Sequence, residues 1–262
     1  MNILVLLKQV PDTTEMQIDK ETGTLIRAGV PTITNPDDLA GMEMALRLKD
    51  KHGARVTCIT MGPPQARNML RELYAMGADN CVLLSDMKFS GADTWATSNT
   101  LAAYIKTLSF DLIIAGRQAI DGDTAQVGPQ TAEKLGLPQI TYVDDIVDFT
   151  EEKIVVKKAL ENTYEIIESK LPCVITTLST AAKPRFMTVK GISDAFNKEI
   201  KLVSFEDLKI DPTIIGLKGS PTKVKKTFTK EVHKNLDVLH LDGKASALKI
   251  VETLLDLNFI GK

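Results

Sequence analysis

Apolar and polar positions along the first half of the chain alternate between two rhythms. Asn2–Leu7 is a short apolar run of the kind that forms a buried strand, and Asp37–His52 carries Leu39, Met42, Ala45, Leu46 and Leu48 at helical spacing, with Gly53 as a stop signal. Arg55–Met61 is a second strand. Pro63–Met76 reads as a helix, with proline at its start and Gly77 at its end. Cys81–Leu84, a helix over Asp93–Leu108, the strand Phe110–Ala115 and a helix over Gln126–Leu135 follow, the last ended by Gly136 and Pro138. Repeated strand–helix units predict a parallel sheet with helices on both faces.

The rhythm then changes. Ile154–Ala159 and Tyr164–Glu168 flank Glu161–Thr163 as a β-hairpin, and Val174–Leu178 supplies one more strand. A hairpin inserted into a parallel sheet makes it mixed. Ala181–Lys201 and Lys218–Lys234 have weak periodicity and read as exposed arms. Lys244–Phe259 regains helical spacing at Leu248, Val251, Leu254, Leu255 and Leu257, with Asp242 as a cap. That apolar face must be covered, either by its own domain or by another subunit. The expected fold class is therefore α/β: a doubly wound, mostly parallel sheet with an inserted β-hairpin and a C-terminal arm plus helix.

Composition adds exclusions. The 262 residues are 44% hydrophobic and 25% charged, ordinary for a globular protein, and the length suits one large domain with appendages. A net charge of −2 offers no basic field for nucleic acid or anionic lipid. No apolar run is long enough to span a bilayer, and NILVLLK reads as a first strand, not a signal peptide, so a cytoplasmic protein is expected. Cys58, Cys81 and Cys173 are far apart in apolar runs and read as buried free thiols. His52, His233 and His240 form no metal-ligand pattern, so no metal is expected.

The candidate chemistry lies in Phe110–Thr131, FDLIIAGRQAIDGDTAQVGPQT. A buried strand runs into a polar loop and then a helix start. Loops at the carboxyl ends of such strands are where open α/β sheets bind ligands. Gly116, Gly122 and Gly128 let backbone N–H groups approach a bound group, and the following helix contributes its positive end. The stretch suggests a nucleotide site.

Several segments, taken in order, resemble the beta subunit of electron transfer flavoproteins: LVLLKQVPDT near the N-terminus, TNPDD at 34–38, ITMGPPQA at 59–66, YAMGAD at 74–79, GRQAIDGDTAQVGPQT at 116–131, KLPCVITT at 170–177 and KPRFMTVKGI at 183–192. The resemblance covers nearly the whole chain. Glu161-Asn162-Thr163 departs from it, since many members carry an acidic and glycine cluster there. It implies an adenine-nucleotide α-hydrolase-like α/β domain over 1–180, a partner-recognition loop over 181–201, and an arm and helix over 202–262 docking on an alpha subunit.

The resemblance also implies a heterodimer whose alpha subunit carries one FAD. In one branch of the family the beta subunit holds structural AMP. In the bifurcating branch it holds a second FAD that takes hydride from NADH. Electrons then pass to ferredoxin or flavodoxin and, through the alpha-subunit FAD, to a flavin-dependent dehydrogenase such as an acyl-CoA, enoyl-CoA-type or hydroxy-acid dehydrogenase. Two features resemble the bifurcating branch: the small residues around Gly122 in the loop, and Phe89–Thr97 with its glycine turn. FAD is the expected cofactor and AMP the alternative.

The implied cofactor-binding residues are Gly116, Arg117, Gln118, Ala119, Ile120, Asp121, Gly122, Asp123, Thr124, Ala125, Gln126 and Val127, whose backbone groups would hold pyrophosphate and ribose. Asp121 and Asp123 either bind ribose hydroxyls or brace the loop, since like charges repel phosphate. Arg117 pairs with phosphate, tunes the flavin, or makes an outward salt bridge. Gly91, Asp93, Thr94 and Thr97 either meet the flavin or cap a helix. Asn35 and Asp38 either contact adenosine or cap the helix that follows. Leu6, Lys8 and Met61 lie at strand ends near the same crevice, with core packing the stronger role for Leu6 and Met61. In the later arm Arg185, Met187 and Val189 suggest a dehydrogenase contact, with an apolar anchor flanked by charge. A competing class is an ATP-using enzyme of similar architecture, but neither a Ser-Gly-Gly loop after the first strand nor a GxxxxGK[ST] sequence is present. No catalytic residue is expected.

Overall fold

Both faces of the first strand are buried, which fixes its place at the middle of the sheet. The computed structural model describes residues 1–12, 31–223 and 238–261. In β1 (Asn2–Leu6), Ile3 and Val5 enter one apolar cluster while Leu4 and Leu6 enter another. This two-residue period, apolar on both sides, is the signature of a central parallel strand covered by helices.

The elements follow in order: β2 (Gln9–Pro11), β3 (Thr32–Thr34), α1 (Pro36–His52), β4 (Arg55–Met61), α2 (Arg67–Met76), β5 (Asn80–Leu84), α3 (Thr94–Ile105), β6 (Leu112–Gly116), α4 (Val127–Leu135), β7 (Gln139–Phe149), β8 (Lys153–Ala159), β9 (Tyr164–Lys170), β10 (Cys173–Thr177), α5 (Val189–Ala195), β11 (Ile200–Val203), the single turn α6 (Gly216–Gly219) and α7 (Gly243–Asp256). The main sheet has the order β11-β5-β4-β1-β6-β10-β7-β8-β9. All pairs from β11 to β7 are parallel, and β8 and β9 add an antiparallel leaf. The chain winds outward from β1 through β4 to β5, then returns to β1's other side as β6. That reversal is a topological switch point, and it opens a crevice at the carboxyl ends of β1 and β6.

The mostly parallel sheet and the inserted hairpin are as the sequence leads one to expect. Helix stops at Gly53 and Gly136 are left-handed, both with φ 68°. α1 lies unusually close to the sheet: a Cβ at Gly41 would stand 2.8 Å from Thr177 Oγ1 and 2.9 Å from Ile114 Cγ2. Cys58, Cys81 and Cys173 are buried and free. Among the elements not foreseen are the short β2, β3 and α6 and three that shape the sheet and its flank. β7 is an eleven-residue strand. The arm expected over Ala181–Lys201 is largely exposed, but it is not irregular: it contains α5, which packs on α2, and leads into β11, which pairs with β5. Only Ala195 of α5 is buried, too little to give a readable stripe. Lys218–Lys234 and His233 lie wholly or largely outside the described residues.

The chain divides into two compact units, Met1–Thr227 and Phe228–Lys262. The described part of the second contains α7, capped by Asp242, whose Oδ1 accepts the Ala245 N–H at 2.8 Å. Among the described residues no helix is long and apolar enough to cross a membrane.

Candidate functional site

The start of α1 organises the crevice. Asn35 is fully buried and its side chain does not cap α1. Its Nδ2 donates to Gln118 O at 2.8 Å and its Oδ1 accepts the Ile120 N–H at 3.1 Å. The amide thus stands in for a strand partner and straightens the loop after β6. Asp38 is buried beside it. Oδ2 accepts the Lys8 N–H at 2.7 Å and Oδ1 accepts the Gly116 N–H at 3.0 Å. One carboxylate therefore closes the two strand ends that part at the switch point. Burial raises the Asp38 pKa to about 7 against the opposing pull of hydrogen bonds from Asn35, Lys8 and Gly116.

Asp37 completes the brace. Its Oδ1 accepts the Ser179 N–H at 2.8 Å, and its carbonyl accepts Thr177 Oγ1 at 3.0 Å, which ties in the end of β10. Its Oδ2 lies 3.3 Å from Arg117 Nε. That contact is an ion pair without hydrogen-bond alignment, because Arg117 Nε is buried with no hydrogen-bond partner. Gly116 is demanded by this crowding, since a Cβ there would meet Asp38 Oδ1 at 2.1 Å.

The loop from Arg117 to Gln126 is held from within. Gly122 and Asp123 N–H groups both donate to Ala119 O, and Gln118 Nε2 donates to Asp123 Oδ1 at 2.7 Å. Lys8 Nζ reaches Asp121 Oδ1 at 2.6 Å across the crevice. Asp121 and Asp123 thus brace the loop, one of the two roles open from the sequence. Asp123 and Ala125 have φ 49° and 52°, left-handed values that few non-glycine residues adopt.

Two helices begin at this crevice, and they differ. α3 is closed by Asp93: Oδ1 accepts the Ala96 N–H at 3.0 Å, and Oδ2 accepts Thr222 N–H at 3.0 Å and Oγ1 at 2.7 Å. Burial works to raise the Asp93 pKa, but these hydrogen bonds outweigh it and hold the carboxyl below its ordinary value. α4 has no side-chain cap. Among the described residues the N–H groups of Thr124, Ala125, Gln126, Val127 and Gly128 have no partner. Thr94 Oγ1 to Gln126 Oε1, at 2.8 Å, and Ser98 Oγ to Gln130 Oε1, at 3.2 Å, join the two helices side by side. Among the described residues no side chain closes the positive end of α4. Gly128 lets it approach β10, since a Cβ there would lie 2.7 Å from Thr176 Cγ2. Gly122 differs, because a Cβ there meets nothing within 4 Å.

Of the other expected residues, Leu6 is in the core and Met61 packs partly against it. Gly91 is a left-handed turn with φ 70° before α3, and Thr97 lies in its first turn. Arg185 binds further along α1, beyond its first turn. Its guanidinium grips buried Glu43 at 2.9 and 3.2 Å and Asp50 at 2.8 Å. Beside it Phe186 and Val189 are 88% exposed and Met187 43%. Burial works to raise the Glu43 pKa, and the Arg185 bonds outweigh it and lower it. Sequence reasoning missed Asp37; its signal was the pair of acids in the first turn after Asn35-Pro36.

A switch-point crevice, an internally braced loop and an uncapped helix define a doubly wound α/β protein with an open crevice at the carboxyl ends of its strands. The model of the electron transfer flavoprotein domain matches residues 22–208. The chain is 53% identical over 260 residues to an electron transfer flavoprotein subunit beta from Clostridium acetobutylicum, covering 99% of this chain and 100% of that one. It is 53% identical over 231 residues to the caffeyl-CoA reductase-Etf complex subunit CarD of Acetobacterium woodii, covering 87% and 88% of the two chains. It is 50% identical over 237 residues to the acryloyl-CoA reductase electron transfer subunit gamma of Anaerotignum propionicum, covering 87% and 88%. The chain belongs to the electron transfer flavoprotein family, on its beta-subunit side.

Proposed function

We propose that the chain is the beta subunit of a bifurcating electron transfer flavoprotein and holds FAD in the switch-point crevice. The observation that carries this reading is the contrast between the two helix starts: Asp93 closes α3, whereas five consecutive N–H groups, from Thr124 to Gly128, stand open at α4. These groups bind the pyrophosphate. Lys8, held at the rim by Asp121, adds positive charge, and Asn35, Asp37 and Asp38 keep the loop in shape. Open space at Gly122 favours a ligand larger than AMP. Bound FAD supplies the acceptor for a hydride from NADH and the point at which its electrons part. One goes to ferredoxin or flavodoxin, the other through the alpha-subunit FAD to a dehydrogenase. Relatives named as subunits of caffeyl-CoA reductase and acryloyl-CoA reductase complexes support a flavin-dependent acyl-CoA-type partner. α7 docks on the alpha subunit, Met187 and Val189 face the dehydrogenase, and the complex works in the cytoplasm.

The second reading is structural AMP in the same crevice, since the open N–H groups suit any phosphate. Purifying the chain with its alpha partner, counting flavins per heterodimer and adding NADH without oxygen separates them. Two flavins, with NADH reducing one, is the expected result. One flavin plus AMP would leave the second reading in its place.

A further inference from the structure

Tyr142 stands where tyrosine is least expected. Its φ is 59°, a left-handed backbone that bulky side chains rarely adopt. It sits in a bulge: β10 residues Ile175 and Thr177 pair with Ile140 and Val143, so Thr141 and Tyr142 together face Thr176. Its N–H donates to Thr176 Oγ1 at 3.3 Å. The residue is 41% exposed, so core packing does not account for it. Its aromatic face meets the Arg117 guanidinium, with Cζ 5.7 Å from the ring centroid.

Arg117 is held from two further sides. Its N–H donates to Thr177 O at 2.8 Å, and Asp37 Oδ2 lies 3.3 Å from Nε. Among the described residues its terminal nitrogens make no hydrogen bond. The guanidinium is thus clamped between a carboxylate and an aromatic face, next to the loop that leads to the open N–H groups. Bulges of this kind re-aim a side chain beside a functional site, and strained backbone persists where the surroundings over-determine it.

We propose that Tyr142 is a positioning residue for Arg117, whose strained backbone and ring hold the guanidinium toward negative charge on a nucleotide in the switch-point crevice. This rests on the reading of that crevice as a nucleotide site. The charge belongs either to the phosphates or to the reduced flavin ring, and two probes tell these apart.

The test uses the full chain with its alpha partner, freed of nucleotide and titrated separately with FAD and with AMP. Tyr142→Gly takes the left-handed backbone without strain, so its melting temperature is expected to equal or exceed the parent's. A phosphate contact makes both FAD and AMP bind at least tenfold more weakly in Tyr142→Gly and in Arg117→Gln. It also flattens the fall of affinity with added salt. A ring contact instead lowers the reduction potential of bound FAD in both variants. Tyr142→Phe keeps the aromatic face and restores the parent value, and the double variant falls no further than Arg117→Gln alone. A parent complex that binds neither probe overturns the crevice reading and this inference together. A parent that binds, with Tyr142→Gly unchanged in both affinity and potential, overturns this inference alone. So does a Tyr142→Phe variant as impaired as Tyr142→Gly.

Discussion

Asp38 Oδ1 accepts the Gly116 N–H at 3.0 Å, joining the first turn of α1 to the end of β6 where the sheet turns back on itself. The contact is so close that Gly116 has no room for a side chain: an added Cβ would lie 2.1 Å from that oxygen and 2.7 Å from the Asp38 nitrogen. Gly116→Ala is expected to destabilise the fold by about 2–4 kcal/mol, because backbone on both sides must move. Urea unfolding of the isolated chain measures it.

Gly122 gives the opposite expectation. It is exposed, with nothing within 4 Å of an added Cβ. Gly122→Val should leave stability within about 0.5 kcal/mol. The same change narrows the space beside the loop, and flavin content per heterodimer should drop by half or more. Unchanged flavin content would mean that the nucleotide lies elsewhere.

Asp38 gives stability a pH dependence. Burial raises its pKa from 3.8 to about 7 in the folded chain. The folded state therefore holds a proton that the unfolded state releases between those values. The contribution is complete below about pH 4 and disappears as pH rises through 7, a change of roughly 4 kcal/mol. Asp38→Asn should remove this fall, seen as the parent-minus-variant difference in unfolding free energy from pH 4 to 8. A difference that stays level across that range would show that Asp38 keeps one ionisation state throughout.

Arg185 anchors the loop bearing Phe186, Met187 and Val189 to α1 through Glu43 and Asp50. Arg185→Ala leaves buried Glu43 with Arg47 alone. Arg185 is partly exposed, so the expected loss is about 1–2 kcal/mol, less than for a fully buried pair. Nucleotide content should be unchanged, while electron delivery to the dehydrogenase, followed by reduction of its flavin, should fall severalfold. Equal loss of nucleotide would contradict the separation of these two regions.

Much of this fold is legible from local pattern. β1 and β6 are dominated by apolar residues because both their faces are buried, and Gly53 and Gly136 mark helix ends because only left-handed backbone turns the chain there. The loop after β6 is visible through its glycines. β7 escaped notice because two register shifts interrupt its alternation of buried and exposed positions. Asp37 and Asp38 are two adjacent acids on paper, and only the approach of α1 to β6 and β10 shows what each one holds. Tyr142 gave no sign, since nothing in a sequence reports the sign of φ.

The position of β10 bears on the order in which the chain can assemble. β7 has β10 on one side and β8 on the other and never touches β6. As the polypeptide emerges during synthesis, β7, β8 and β9 can fold back on one another as a separate antiparallel leaf. They join the parallel strands only when Cys173–Thr177 slides between β6 and β7 and satisfies an open edge on each side. A nascent chain halted before Cys173 would leave β6 and β7 without their shared partner, and this one five-residue strand closes both edges at a single step.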